Sequence, residues 1–251
     1  MERQTDARWG GGSQRGDRAT RRWDDDYLLA MPAAPTIDEL LVGDDAGRWA
    51  EFGFTVSEEC CCEIGGVRLR FPDDDSSSSS GRGILGWTLH DIATTELDGL
   101  PTTVSEHPPR DPAPVHPNGV VAIDHIVAAS PSLERSVRAL QRAGLDLRRI
   151  REQPTPAGAP RQAFFRLGAE ILELIQEPED SIQRAGGGRD HPARFWGLAV
   201  RVEDLDRTVE LLGSQVSEIR PAVQAGRRIA TVRRTAGLTV PLALMSAPAK
   251  E

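Results

Sequence analysis

The side chains best suited to chemistry in this chain are a few histidines, one carboxylate set in an apolar run, and paired aromatics and arginines. Glu173 stands in the middle of ILELI, a strand-like stretch in which a charge needs a partner or water, because burying it alone is expensive. His125 stands in IDHIV, where period-two alternation puts Ile123, His125 and Val127 on one face. Phe164-Phe165 and Phe195-Trp196 each send one ring into a core and the other to the opposite face. Arg148-Arg149 and Arg227-Arg228 divide in the same way; Arg149 or Arg228, pointing inward, could clamp a carboxylate with two hydrogen bonds.

The remaining candidates read as structural. His90 sits in WTLHDI as a strand residue, His116-Pro117-Asn118-Gly119 is a turn signal, and His107 and His191 lie in loops open to solvent. Cys60, Cys61 and Cys62 are consecutive and have no distant partner, so a disulfide framework is excluded. They read as small half-buried hydrophobes in a reducing cytoplasm, which sets the expected location. No GxGxxG, P-loop, GxSxG, HExxH or CxxC element occurs.

The formal net charge of −8 argues against a nucleic-acid partner, which needs a clustered cationic surface. Arginine carries almost all the positive charge, Lys250 being the only lysine. No stretch approaches the roughly 20 apolar residues that span a bilayer, and the N-terminus has no apolar core of a signal peptide. Residues 1–32 read as a disordered tail, with mixed charges and no apolar face; Met31 is an alternative natural start. Asp73–Ser80 is a low-complexity loop. The Pro-rich stretch 107–118 is a linker stiffened toward polyproline II, dividing region 33–106 from region 119–248.

The C-terminal region contains a repeat. Ile126–Val137 aligns without a gap on Leu198–Val209, so that SLERSV meets DLDRTV. Each copy is an apolar strand, Ser132 or Asp204 as an N-cap or first-turn acid, and a helix with one apolar stripe: Leu133, Val137, Leu140 or Leu205, Val209, Leu212. Gly144 and Gly213 stand at the helix C-caps. Three strand-like stretches follow each helix, so the order is βαβββ twice. Fainter copies precede them: Ile37-Asp38-Glu39-Leu40 matches Ile123-Asp124-His125-Ile126, IGGVRLRF matches LGAEILEL, and GILGWTLHDI resembles RFWGLAVRV. The first of these is shortened within its hairpin region.

Tandem βαβββ units with IDHI, SLERSV and a terminal ILELIQEP resemble the vicinal-oxygen-chelate superfamily, the glyoxalase, bleomycin-resistance and dioxygenase group. The resemblance implies an α+β fold: paired modules forming a trough in region 119–248, preceded by a degenerate module in 33–106. It also implies a divalent metal (Zn, Ni, Mn or Fe) held by first- and last-strand residues of each module, which chelates vicinal oxygens of a substrate. His125 and Glu173 occupy the first module's ligand positions. The second module has Gly197 and Ala243 there, neither of which can ligate, and two ligands are too few for a tight site. His125 and Glu173 then form a hydrogen-bonding pair, or are completed by Glu39, His90, His116 or a second subunit.

The leading expectation is a protein that binds a small molecule in its trough without the usual four-ligand centre. His125, Glu173, Phe165, Trp196 and Arg228 are its expected ligand-binding residues, and no cofactor is firmly implied. Two alternatives stay open: a metal-dependent lyase, isomerase or dioxygenase using His125 and Glu173, and a protein–protein scaffold, with a homodimer as the assembly.

Overall fold

A computed structural model describes residues 34–72, 81–155, 158–185 and 188–248. The expected tail, the loop Asp73–Ser80 and Lys250 lie outside the described residues. Two strand-rich runs emerge where the apolar alternation is strongest. The first comprises β1 (Thr36–Gly43), α1 (Ala46–Glu51), β2 (Cys61–Ile64), β3 (Val67–Arg70), β4 (Gly83–His90) and β5 (Thr102–Val104), in a sheet ordered β2-β3-β1-β4-β5.

The second run begins with β6 (Val120–Ser130), α2 (Leu133–Arg142), β7 (Asp146–Arg151), β8 (Gln162–Leu167), β9 (Glu170–Gln176) and α3 (Glu179–Ala185). It continues with β10 (Arg194–Val202), α4 (Leu205–Leu212), β11 (Arg220–Pro221), β12 (Arg228–Thr231) and β13 (Leu242–Met245). The two βαβββ modules join through antiparallel β6 and β10 into one eight-stranded sheet, ordered β11-β12-β13-β10-β6-β9-β8-β7.

The smaller sheet has the order of the larger one's centre. Strands β2-β3-β1-β4-β5 correspond to β8-β9-β6-β10-β13, pair by pair antiparallel, parallel, antiparallel and parallel. The N-terminal region is therefore a pared-down version of the same architecture. Among the described residues it has no outer strands, and no helix lies between β4 and β5.

Helix ends follow their residue chemistry. Asp204 accepts hydrogen bonds from the Asp206 and Arg207 amides and caps α4. Ser132 occupies the matching position before α2, but its hydroxyl makes no capping bond. Gly144 takes a φ of +94° after α2, letting the Leu145 amide bond back to the Leu140 carbonyl. Helix α3 was not foreseen; its signal was Pro178 followed by two first-turn acids, Glu179 and Asp180. The second module's hairpin is also shorter than its sequence suggests. Pro221 ends β11 after two residues and Pro241 delays β13, since proline cannot donate to a ladder.

One hydrophobic core runs through both sheets, including Trp49, Phe52, Leu69, Leu89, Ile126 and Phe165. Trp87 of β4 meets Phe195 of β10 edge-on at 5.1 Å. Residues 107–118 carry no helix or strand, and their end is pinned: Asn118 is fully buried and donates from Nδ2 to the Phe52 carbonyl. Both sheets belong to one compact unit, Ala33–Glu251.

Phe165 is fully buried in this core and does not face the trough, which corrects its expected ligand role. Alternation along β8 gives the trough face to Gln162 and Phe164 instead, and Phe164 lies opposite Glu173. Phe165→Ala is therefore expected to cost about 3–5 kcal/mol of stability in urea denaturation. A loss below about 1 kcal/mol would contradict this placement.

Candidate functional site

The site grows from one irregularity in β6. His125 pairs with Ala199 and Ile123 with Val200, so Asp124 has no partner on β10 and forms a bulge. The bulge resets the alternation. Ile123 joins the core with Ile126 and Ala128, while His125, Val127 and Ala129 line the opposite face. The expected sharing of one face by Ile123, His125 and Val127 is corrected accordingly. The same bulge brings Asp124 Oδ2 to 2.9 Å from His125 Nδ1.

Arg227 clamps the other side of Asp124, with Nη2 at 2.6 Å from Oδ1 and Nη1 at 3.1 Å from Oδ2. Its Nε and Nη2 also donate to the Ser246 carbonyl at 3.0 and 2.7 Å, which locks the guanidinium in place. Burial would raise the Asp124 carboxyl. The hydrogen bonds from His125 and Arg227 and the charge of Arg227 outweigh it and hold the group at about 2. An ionised carboxylate only accepts, so the His125 proton in this contact sits on Nδ1.

His125 Nε2 then faces Glu173 Oε2 across 3.4 Å. Glu173 projects from β9, which runs parallel to β6 with Val127 opposite Glu173. Its other oxygen accepts from Nε2 of the buried Gln162. Arg151 donates to Gln162 Oε1 at 3.4 Å and so sets the amide's orientation. Neither His125 Nε2 nor Glu173 Oε2 has a hydrogen bond among the described residues. These two atoms, a nitrogen with proton-exchange capacity and a carboxylate oxygen, can address a bound group by hydrogen bonding or proton transfer.

They open on a trough of about 620 Å3. Val127, Ala129, Ile175, Trp196, Leu242 and Ala243 supply much of its apolar wall. Trp196 lies in a second bulge, between Phe195 and Gly197, and is 47% exposed. The trough has a second polar pole at Glu177, only 4% exposed, with Arg194 Nη2 at 3.1 Å and His191 Nε2 at 3.6 Å. His191 is thus not free in solvent.

Arg228 does not enter the trough. It pairs with Asp206 of α4 at 2.6 Å on the outer face, because Ile229 and Thr231 hold the trough side of β12 and the preceding Arg227 shares their parity. Arg149 lies over the Phe164 ring at 5.1 Å. Asp124, Arg227, Gln162 and Glu177 escaped the sequence reading. The first two had a signal, an acid beside the histidine and an arginine beside the one chosen; nothing local marked Gln162.

The donor set does not fit a four-ligand metal centre. His125 Nε2 and Glu173 Oε2 are close enough for both to lie about 2.1 Å from one ion. Among the described residues, however, no group of three or more His, Cys, Asp and Glu could hold one. The second module cannot easily supply more, since a Cβ on Gly197 would lie 2.7 Å from the Pro241 carbonyl oxygen.

The other candidate ligands are engaged elsewhere. Glu39 pairs with Arg70 at 2.8 Å, and His90 lies 3.8 Å from the buried Asp38. His116 accepts from the Thr55 amide and bonds the Glu63 carbonyl, and burial pushes its pKa down. None of the three lines the trough.

Residues 124–231 match the model of the glyoxalase/bleomycin resistance protein/dioxygenase superfamily. The matched residues lie in the paired-module domain and run from β6 into β12. Among solved structures, a xylose isomerase-like TIM barrel/4-hydroxyphenylpyruvate dioxygenase fusion protein is 12% identical, with a TM-score of 0.57. The match covers 88% of this chain and 51% of that one, so the chain spans about half of its length, and the likeness is one of fold. Methylmalonyl-CoA epimerase from Mycobacterium tuberculosis is 20% identical over 52% of this chain and 91% of its own, with a TM-score of 0.42. No curated protein matches the chain. Among the described residues, no helix is long and apolar enough to cross a membrane.

Asp124 yields a signed pH prediction. Its folded pKa of about 2 lies below the ordinary 3.8, so it contributes stability that is full above about pH 4 and lost as pH falls through about 2. The contribution is about 2 kcal/mol. Asp124→Asn should be less stable than wild type by at least that amount at pH 7, with the gap narrowing by pH 2.5 in urea denaturation. An equal gap at both pH values would contradict the clamp.

Proposed function

We propose that the trough binds one small, largely apolar molecule through a polar head group placed between His125 Nε2 and Glu173 Oε2, without the usual four-ligand metal centre. The observation that carries this reading is the pair of facing atoms, 3.4 Å apart and without hydrogen bonds among the described residues, at the wall of a roughly 620 Å3 apolar trough. The head group donates to the Glu173 carboxylate, as a hydroxyl, amine or amide does. Trp196 supplies flat apolar contact, and Glu177 with Arg194 gives a second polar anchor.

The alternative, a metal-dependent lyase, isomerase or dioxygenase, draws on the same pair. An imidazole with Nδ1 tied to a carboxylate presents Nε2 as metal-ligating histidines do. That reading needs ligands beyond the described residues or from a second subunit. A scaffold role is less favoured, because an open cavity of this size suits a small ligand rather than a packed protein contact. A cytoplasmic protein, alone or as a homodimer, is consistent with this reading.

Metal analysis of the purified protein, with and without His125→Ala, separates the first two readings. Binding without the family's centre predicts Zn, Ni, Mn and Fe all well below one equivalent. A stoichiometric metal lost in His125→Ala would overturn the proposal. Ala243→Trp, which fills the trough, should abolish the thermal stabilisation that small hydroxyl or amide compounds give the wild type.

A further inference from the structure

Beside the trough lies a second cavity of about 640 Å3 of different chemistry. Arg82, Arg233 and Arg234 line it, and among the described residues no acidic side chain does, in a chain whose formal net charge is −8. All three arginines are exposed, and a multiply charged anion held among them would gain from three positive charges, most of all at low salt. The two cavities share Trp196, Val232 and Pro241, which places them side by side at the indole.

The arginine cavity is built on backbone held in place from several directions. The Thr239 amide donates to Asp44 Oδ2 at 2.8 Å, and its hydroxyl donates to the Gly43 carbonyl at 3.0 Å. The Gly83 amide, next to Arg82, donates to that hydroxyl at 3.0 Å. Arg233 donates from Nε to the Val216 carbonyl at 2.8 Å, which positions its guanidinium. Arg82 comes from the N-terminal sheet's side and Arg233-Arg234 from the loop between β12 and β13. The cationic hollow therefore exists only where the pared-down module docks on the paired one.

We infer that the molecule bound in the trough carries a phosphate-type anionic tail, which passes Trp196 and is held by Arg82, Arg233 and Arg234. Planar guanidinium forks match phosphate oxygens two at a time, and several of them select a multiply charged group over a neutral one. This assignment rests on the trough reading, and it makes the substrate class specific: an apolar head with a polar group, joined to a phosphate ester.

The full chain is titrated at low ionic strength with 2,6-dihydroxynaphthalene, its monophosphate ester, which keeps one free hydroxyl for Glu173, and inorganic pyrophosphate, following Trp fluorescence and heat. The phosphate ester should bind wild type at least about tenfold more tightly than the alcohol, the scale of charge-assisted hydrogen bonds. The Arg82→Gln/Arg234→Gln double variant should lose that gain and leave binding of the diol unchanged; Arg233 is left intact because it braces the loop. The gain should also shrink as salt is raised.

No gain from the phosphate in wild type, or a gain that survives in the double variant, overturns the tail assignment while the trough reading stands. Failure of the diol to bind wild type counts against the trough reading. The arginine cavity then stands or falls on pyrophosphate, whose binding must weaken about tenfold in the double variant.

Discussion

Asp124 stands where the sheet's regular alternation breaks, and most of what the trough presents depends on how its charge is met. A carboxylate at this depth is tolerated because Arg227 closes on both of its oxygens and His125 donates to one. The same contacts decide the chemistry. They place the His125 proton on Nδ1, turn Nε2 toward Glu173, and brace Arg227 through the Ser246 carbonyl just after β13. A residue of the second module's β11–β12 connection thereby orients a histidine of the first. The module that has Gly197 and Ala243 at the positions matching His125 and Glu173 is still needed to hold the imidazole of the first.

The smaller sheet repeats the device with different residues. Asp38 is bulged out of β1, since Ile37 pairs with Leu89 and Glu39 with Thr88, and it lies against Arg110 and the Ser105 hydroxyl. The next residue, Glu39, pairs with Arg70, whose place beside Leu41 on parallel β3 matches that of Glu173 beside Val127 on β9. There the positions that hold His125 and Glu173 in the larger sheet hold a direct ion pair at 2.8 Å. The two sheets share a scaffold and differ in what its central pair is free to do.

The architecture was legible because its signals repeat. Two helices with matching apolar stripes, strands of strict period two and the shared IDHI and IDEL starts all report local geometry that the fold preserves. The site was legible only in part, because its key steps are departures from that period. The bulge at Asp124 cannot be seen in alternation, so Ile123 was assigned to the wrong face. Phe165 and Arg228 were each one residue from the side chain that faces inward, since the parity of a strand is fixed by pairing and not by composition. Gln162 and Arg227 acquire their roles through contacts across 11 and 103 residues of chain, beyond any local pattern.

The central claim is that Asp124, ionised and clamped by Arg227, holds His125 with its proton on Nδ1 and Nε2 turned to the trough. The 15N and 1H side-chain resonances of His125, recorded at neutral pH in the wild type, Asp124→Asn and Arg227→Ala, test it directly. The account predicts a protonated Nδ1 in the wild type, and a shift of the tautomer balance in both variants. An imidazole protonated on Nε2 alone in the wild type, or one that neither variant disturbs, would contradict it.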